Sequence, residues 1–152
     1  MAEGLHLLLP IRLFTAEAEF QGHVAPGDAR ITALLQGGEP FRMLPLGARD
    51  SHENWIEMAP DDILIVVPPP LVSPPARRLA RQMREVFVRI GDYEVTGTAH
   101  LVPGAEHDLV SRSTRPFLPL TDVAVFAPGA AEPERLEVAI VNLRLTSEYR
   151  VT

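Results

Sequence analysis

Short apolar runs separated by polar breaks run along the whole chain, and their period is mostly two. Val86 to Ile90 is β-branched and aromatic, Gly91-Asp92 is turn-forming, and Tyr93 to Leu101 alternates in side-chain type, which predicts a β-hairpin. Leu7 to Leu13 and Ala18 to Val24, broken near Thr15, predict another. Phe41 to Leu46 and Phe117 to Phe126 read as third strands. Glu53 to Met58 with Ile63 to Val67, and Arg135 to Val141 with Leu143 to Val151, predict two closing hairpins. Helical spacing is confined to three places. Asp28 caps a predicted short helix with Ile31, Leu34 and Leu35 on one face and Gly37-Gly38 at its end. Glu106 to Arg112 holds the matching place more weakly, and Pro75 to Glu85 sets Leu79, Met83 and Val86 in one stripe behind a proline.

The pattern repeats. Ile11 to Gly27 aligns without gaps on Val88 to Gly104, pairing Arg12 with Arg89, Glu17 with Glu94, His23 with His100, Pro26 with Pro103 and Gly27 with Gly104. Pro40-Phe41 then answers Pro116-Phe117, and Ile56-Glu57-Met58-Ala59 answers Leu136-Glu137-Val138-Ala139. Between the copies, the proline-rich stretch from Pro68 to Pro75 lacks the donors a helix or inner strand needs and reads as an extended spacer. The expected organisation is a first β repeat over 1–67, a spacer and arginine-rich linker helix over 68–85, and a second β repeat over 86–152. Five short strands with one short helix per copy suit a small barrel of the Sm-like or SH3-like kind, so the expected fold is mostly β, two such barrels related by internal duplication.

Composition adds bounds to this picture. A chain of 152 residues buries enough surface to fold without staples, and the absence of cysteine excludes disulfides, thiolate metal sites and a cysteine nucleophile. The net charge of −6 is uneven: residues 1–74 hold 4 arginines against 10 acidic residues, while residues 75–152 hold 10 of each. No lysine is present. The run Leu5 to Pro10 is too short to span a bilayer and lacks a basic flank, so a cytoplasmic protein without membrane contact is expected.

Candidate chemistry is sparse. Arg77, Arg78, Arg81 and Arg84 form the sole basic cluster, suited to an acidic partner face or, alternatively, to nucleic-acid phosphates. His23 and His100, repeated in the two copies, are the candidate metal ligands, against a plainer role in closing a turn. Pro26-Gly27 and Pro103-Gly104 are the repeated structural motif. The sequence lacks a nucleophile elbow, a phosphate-binding glycine loop and a His-Glu-x-x-His, so neither catalysis nor a cofactor is expected. Trp55, with Arg135 as its counterpart, is expected to pack.

The segment Arg115-Pro116-Phe117-Leu118-Pro119-Leu120-Thr121-Asp122-Val123 resembles uncharacterised bacterial proteins that share its Phe-Leu-Pro-Leu-Thr-Asp run. The resemblance covers about the second half of the chain and implies an all-β repeat, with no activity or functional residues attached. The first copy departs from it, with Gly47-Ala48 where Thr121-Asp122 stand. The function expected from these features is a non-catalytic protein-interaction or assembly module, through a protein partner or self-association. The alternatives are an Sm-like nucleic-acid-binding protein and a small-ligand or metal-binding sensor.

Overall fold

The computed structural model describes residues 8–25, 31–37, 39–69, 82–101 and 116–151. Ten strands and one short helix follow in the order β1 (Leu9–Thr15), β2 (Glu19–Val24), α1 (Ile31–Gln36), β3 (Phe41–Pro45), β4 (Ile56–Met58), β5 (Ile63–Val67), β6 (Gln82–Ile90), β7 (Tyr93–Leu101), β8 (Phe117–Phe126), β9 (Glu134–Asn142) and β10 (Thr146–Val151). All pairings are antiparallel, and the strands make one sheet in the order β10-β6-β7-β8-β9-β5-β1-β2-β3-β4. The architecture is mostly β, and among the described residues the sheet is not closed. Among the described residues no helix is long and apolar enough to cross a membrane.

The predicted hairpins β1/β2 and β6/β7 are present, but the predicted closing hairpins are not. β4 pairs with β3 while β5 pairs with β1, and β9 pairs with β8 while β10 pairs with β6. A 3-10 turn at Pro60–Asp62, and another at Leu143–Leu145, redirects the chain at each point where a hairpin was expected. Proline at the start of the first turn and the Asn142 side chain at the start of the second favour that tighter course.

The linker helix needs correction as well. Gln82 to Glu85 belong to β6, so Arg84 lies on a strand, and the second strand-rich half begins before residue 86. Met83 and Val86 fit a helical stripe, but their backbone pairs rung by rung with β7, Met83 opposite His100 and Val86 opposite Gly97. A ladder of nine rungs outweighs a single turn of helical spacing. Arg77, Arg78, Arg81, Pro26, Gly27, Pro103, Gly104 and the weaker helix at 106–112 lie outside the described residues.

The strand order contains one run twice: β5-β1-β2-β3-β4 and β10-β6-β7-β8-β9. Matching the registers rung by rung puts Thr15 in the place of Ile90, Leu13 in that of Val88, and Gly22 in that of Gly97. The gap-free sequence match is therefore two residues out of step in the first hairpin. Arg12 takes the place of Phe87, and Arg89 that of Phe14. A two-residue slip keeps every side chain on its face, which is why the patterns agree although the identities fall on different rungs.

Gly22 and Gly97 show what the matching rungs share. A Cβ at Gly22 would collide with the carbonyl oxygen of Leu44, and one at Gly97 would lie 3.0 Å from Leu120 Cβ. Each glycine lets the second strand of its half bend against the third. Beside Gly97 the β7/β8 register shifts, and Asp122 on β8 adopts a φ of 51°. Asp122, the last residue of the Phe-Leu-Pro-Leu-Thr-Asp run, thus marks a bulge, and aspartate tolerates this left-handed backbone better than most residues.

Candidate functional site

The two runs of strands meet at β5 and β9, where Ile65 faces Val141 and Val66 faces Ile140. The sequence of β5, Ile-Leu-Ile-Val-Val, has no polar face because neither face meets water: Ile63, Leu64, Ile65 and Val66 are all buried. Ile63 and Val66 pack in a core with Ile11, Leu13, Phe41 and Met43, which Ile140 and Phe117 enter from the other half. Leu64 and Ile65, with Phe14, enter the second core among Val88, Val95, Leu120 and Val141. Each half thus completes the core of the other.

Asn142, the one buried polar residue among those described, sits at this seam. Its Nδ2 donates to the carbonyl oxygen of Ile63 at 3.0 Å and lies 3.4 Å from that of Pro60, while its Oδ1 accepts from the Arg144 backbone N–H at 3.1 Å. A neutral amide supplies a donor and an acceptor together, which neither carboxylate nor leucine does. An asparagine inside the apolar run Val138 to Leu143 was the sequence signal for this role.

Arg12 on β1 spans the same seam. Its Nε donates to Glu19 at 2.8 Å, Nη2 donates to Glu134 Oε1 at 3.0 Å, and Nη1 donates to Glu134 Oε2. This forked contact holds the Glu134 carboxyl below its usual range, and it raises the Arg12 guanidinium in turn. Arg144 reaches Asp61 at 3.2 Å across the same junction, between two exposed side chains. Gln36 at the end of α1 accepts from the Phe117 N–H at 3.4 Å. A cleft of about 160 Å³ opens there, lined by Leu35, Gln36, Pro60, Asp61, Phe117 and Arg144.

The candidate ligands lie apart from the seam and from each other. His23 is on β2 and His100 on β7, with β8, β9, β5 and β1 between them in the sheet. His100 Nε2 lies 2.8 Å from Thr121 Oγ1 on the neighbouring strand, so its ring links β7 to β8. Among the described residues no group of three histidines or carboxylates is placed to hold a metal ion. Arg84 is half-buried on β6. Trp55 is half-buried just before β4, where its indole N–H donates to Asp50 at 3.0 Å and the Arg42 guanidinium lies 5.5 Å over its ring.

The sheet ends in two outer strands. Among the described residues β4 pairs only with β3, and β10 only with β6. Ile56 and Met58 are half-buried and packed at the rim of the first core. On β10, Arg150 pairs with Glu148 at 2.9 Å, and Arg89 on β6 pairs with Glu94 at 2.7 Å and with Glu148 at 3.6 Å. An outer strand such as β4 carries backbone donors and acceptors of the kind that pair with a further strand. No family model matches the chain, and neither a curated protein nor a solved structure matches it.

Proposed function

We propose that the chain is a non-catalytic protein-interaction or assembly module, built by duplication of a small five-stranded β unit of the Sm-like or SH3-like kind. The observation that carries this reading is the seam. One unit associates with another by laying its last-but-one position in the strand path, β9, against the final strand of its neighbour, β5, and by exchanging core residues across that junction. A unit that associates in this way inside the chain offers the same kind of strand edge outside it, at β4 and β10. The polar contacts of the seam, Arg12 with Glu134 at its surface and Asn142 with Ile63 in its interior, are engaged in joining.

The test is recovery of a partner from the native host with the intact chain, together with molecular mass in solution. The reading expects a partner at fixed stoichiometry or a defined self-assembly. A substrate turned over by the purified protein, with turnover abolished by replacing a single histidine or carboxylate, would overturn it.

A further inference from the structure

We infer that the open edge of β4 is the docking site for an extended strand of a different protein, one carrying apolar side chains at alternate positions, and that charges on β10 bar a second copy of this chain from that place. The inference rests on the interaction-module reading and names the surface and partner chemistry for it.

The internal seam is the template. In the repeated strand order β4 takes the place of β9, with Ile56 on the rung of Ala139, Glu57 on that of Ile140 and Met58 on that of Val141. Ala139 and Val141 are fully buried because Phe14, Ile65 and Val67 of the neighbouring half pack in the same core. Ile56 and Met58 have no such neighbour among the described residues and remain partly exposed at the rim of the first core. Among the described residues, the position beside β4 therefore lacks what β5 supplies beside β9: a paired backbone and two or three apolar side chains pointing inward.

A second copy would present β10 there, and the same matching identifies what it brings. Glu148 stands where Ile65 stands, Arg150 where Val67 stands, and Arg89 where Phe14 stands. Ile65, Val67 and Phe14 of the working seam are thus matched by charged residues, two on the outer strand β10 and one on its neighbour β6. Facing water they satisfy one another, Arg150 with Glu148 and Arg89 with Glu94 and Glu148. Laid against Ile56 and Met58 they would lose hydration and gain no counter-charge on that face. Charged residues on an edge strand are a recognised guard against strand-to-strand self-association. The guard is on β10 and not on the inward face of β4, so β4 is the receptive edge.

The experiment uses the full chain and a labelled peptide spanning Pro60 to Pro69 of its own sequence, which carries the β5 side chains. A control peptide replaces Ile65 with Glu and Val67 with Arg. The expected result is binding read by peptide anisotropy and by Trp55 fluorescence, at least tenfold weaker for the control and for the Met58→Lys chain. In parallel, the chain carrying Arg89→Phe, Glu148→Ile and Arg150→Val is expected to rise in mass from monomer to head-to-tail multimers, reversed by adding Met58→Lys. Equal binding of both peptides, or binding indifferent to Met58→Lys, would overturn the inference. So would wild-type self-association that Met58→Lys abolishes, since β10 would then not be barred. If the triple variant fails to fold, the peptide comparison decides alone. A native partner still recovered by a Met58→Lys chain leaves the module reading in place and removes only the β4 assignment.

Discussion

Replacing Asn142 by leucine tests whether the seam is held by the hydrogen bonds described for it. Leucine matches the side chain in size and keeps the core filled, so the change isolates the polar contacts. The carbonyl oxygen of Ile63 loses a donor at 3.0 Å in a buried setting, and the N–H of Arg144 loses its acceptor at 3.1 Å in a partly buried one. An abandoned buried group costs about 1–3 kcal/mol, and Arg144 N–H, nearer to water, falls at the low end, for a total of about 3 kcal/mol. With a urea m value of about 2 kcal/mol/M, the unfolding midpoint should fall by roughly 1.5 M. Equilibrium urea unfolding followed by far-UV circular dichroism measures this, and hydrogen exchange should speed up most at β5 and β9. A midpoint lowered by less than about 0.3 M at unchanged m value would refute the argument. Asn142→Asp sharpens it, because the new carboxylate would point an oxygen at the oxygen of Ile63. Its folded pKa should lie above the unfolded value of about 3.9. Its stability is then retained below that value and lost as pH rises through the folded one.

Three further outcomes are expected. Glu134→Gln should cost no more than about 1 kcal/mol, less at high salt, because the pair with Arg12 is partly exposed. Since Arg12 depresses the Glu134 pKa, the wild-type contribution is complete above the unfolded value of about 4.3 and disappears as pH falls through the lower folded value; acid titration of the wild-type-minus-variant stability difference reads this. Gly22→Ala should destabilise by about 3 kcal/mol or abolish folding, and Gly97→Ala by less, because a Cβ at Gly22 would lie 2.1 Å from a backbone oxygen whereas the nearest atom at Gly97 is 3.0 Å away; paired thermal melts give the order. Asp122→Gly should be neutral or slightly stabilising while Asp122→Val costs about 1–2 kcal/mol, and equal melting temperatures for the two would argue against the left-handed bulge.

The strands were legible where alternation reported a half-buried face, as in β1, β2 and β7. Their partners were less so. Within the run from Glu53 to Val67, Pro60 favours a tight turn but does not by itself exclude a hairpin, because the pairing is decided by what β5 meets on both sides. The composition of β5 did hold the clue: an apolar run with no polar alternation belongs between two layers, not at the end of one. Arg84 was misplaced because a few residues fit periods of two and 3.6 equally well until the opposite strand is known. A recurring pattern was visible, yet its identities fall two residues out of step with the matching rungs, since a two-residue slip leaves every side chain on its face. At the seam, Asn142 was overlooked although a polar residue in an apolar strand is a signal in itself. The Arg12 fork to Glu134 joins residues too far apart in the chain for spacing to suggest it.

The seam also sets a timetable for synthesis. Ile65 leaves the ribosome 76 residues before Val141, the residue it pairs with. At ordinary elongation rates of 5–20 residues per second, β5 waits roughly 4–15 s for β9. During that interval Ile-Leu-Ile-Val-Val is a short, uncharged, β-prone segment with one flank open, the composition most inclined to pair with a neighbouring nascent chain. Asp61-Asp62 on one side and Pro68-Pro69-Pro70 on the other bracket it with charge and with residues that cannot extend a ladder. The residues that look like mere punctuation around β5 are thus placed to keep the chain soluble until its second half arrives.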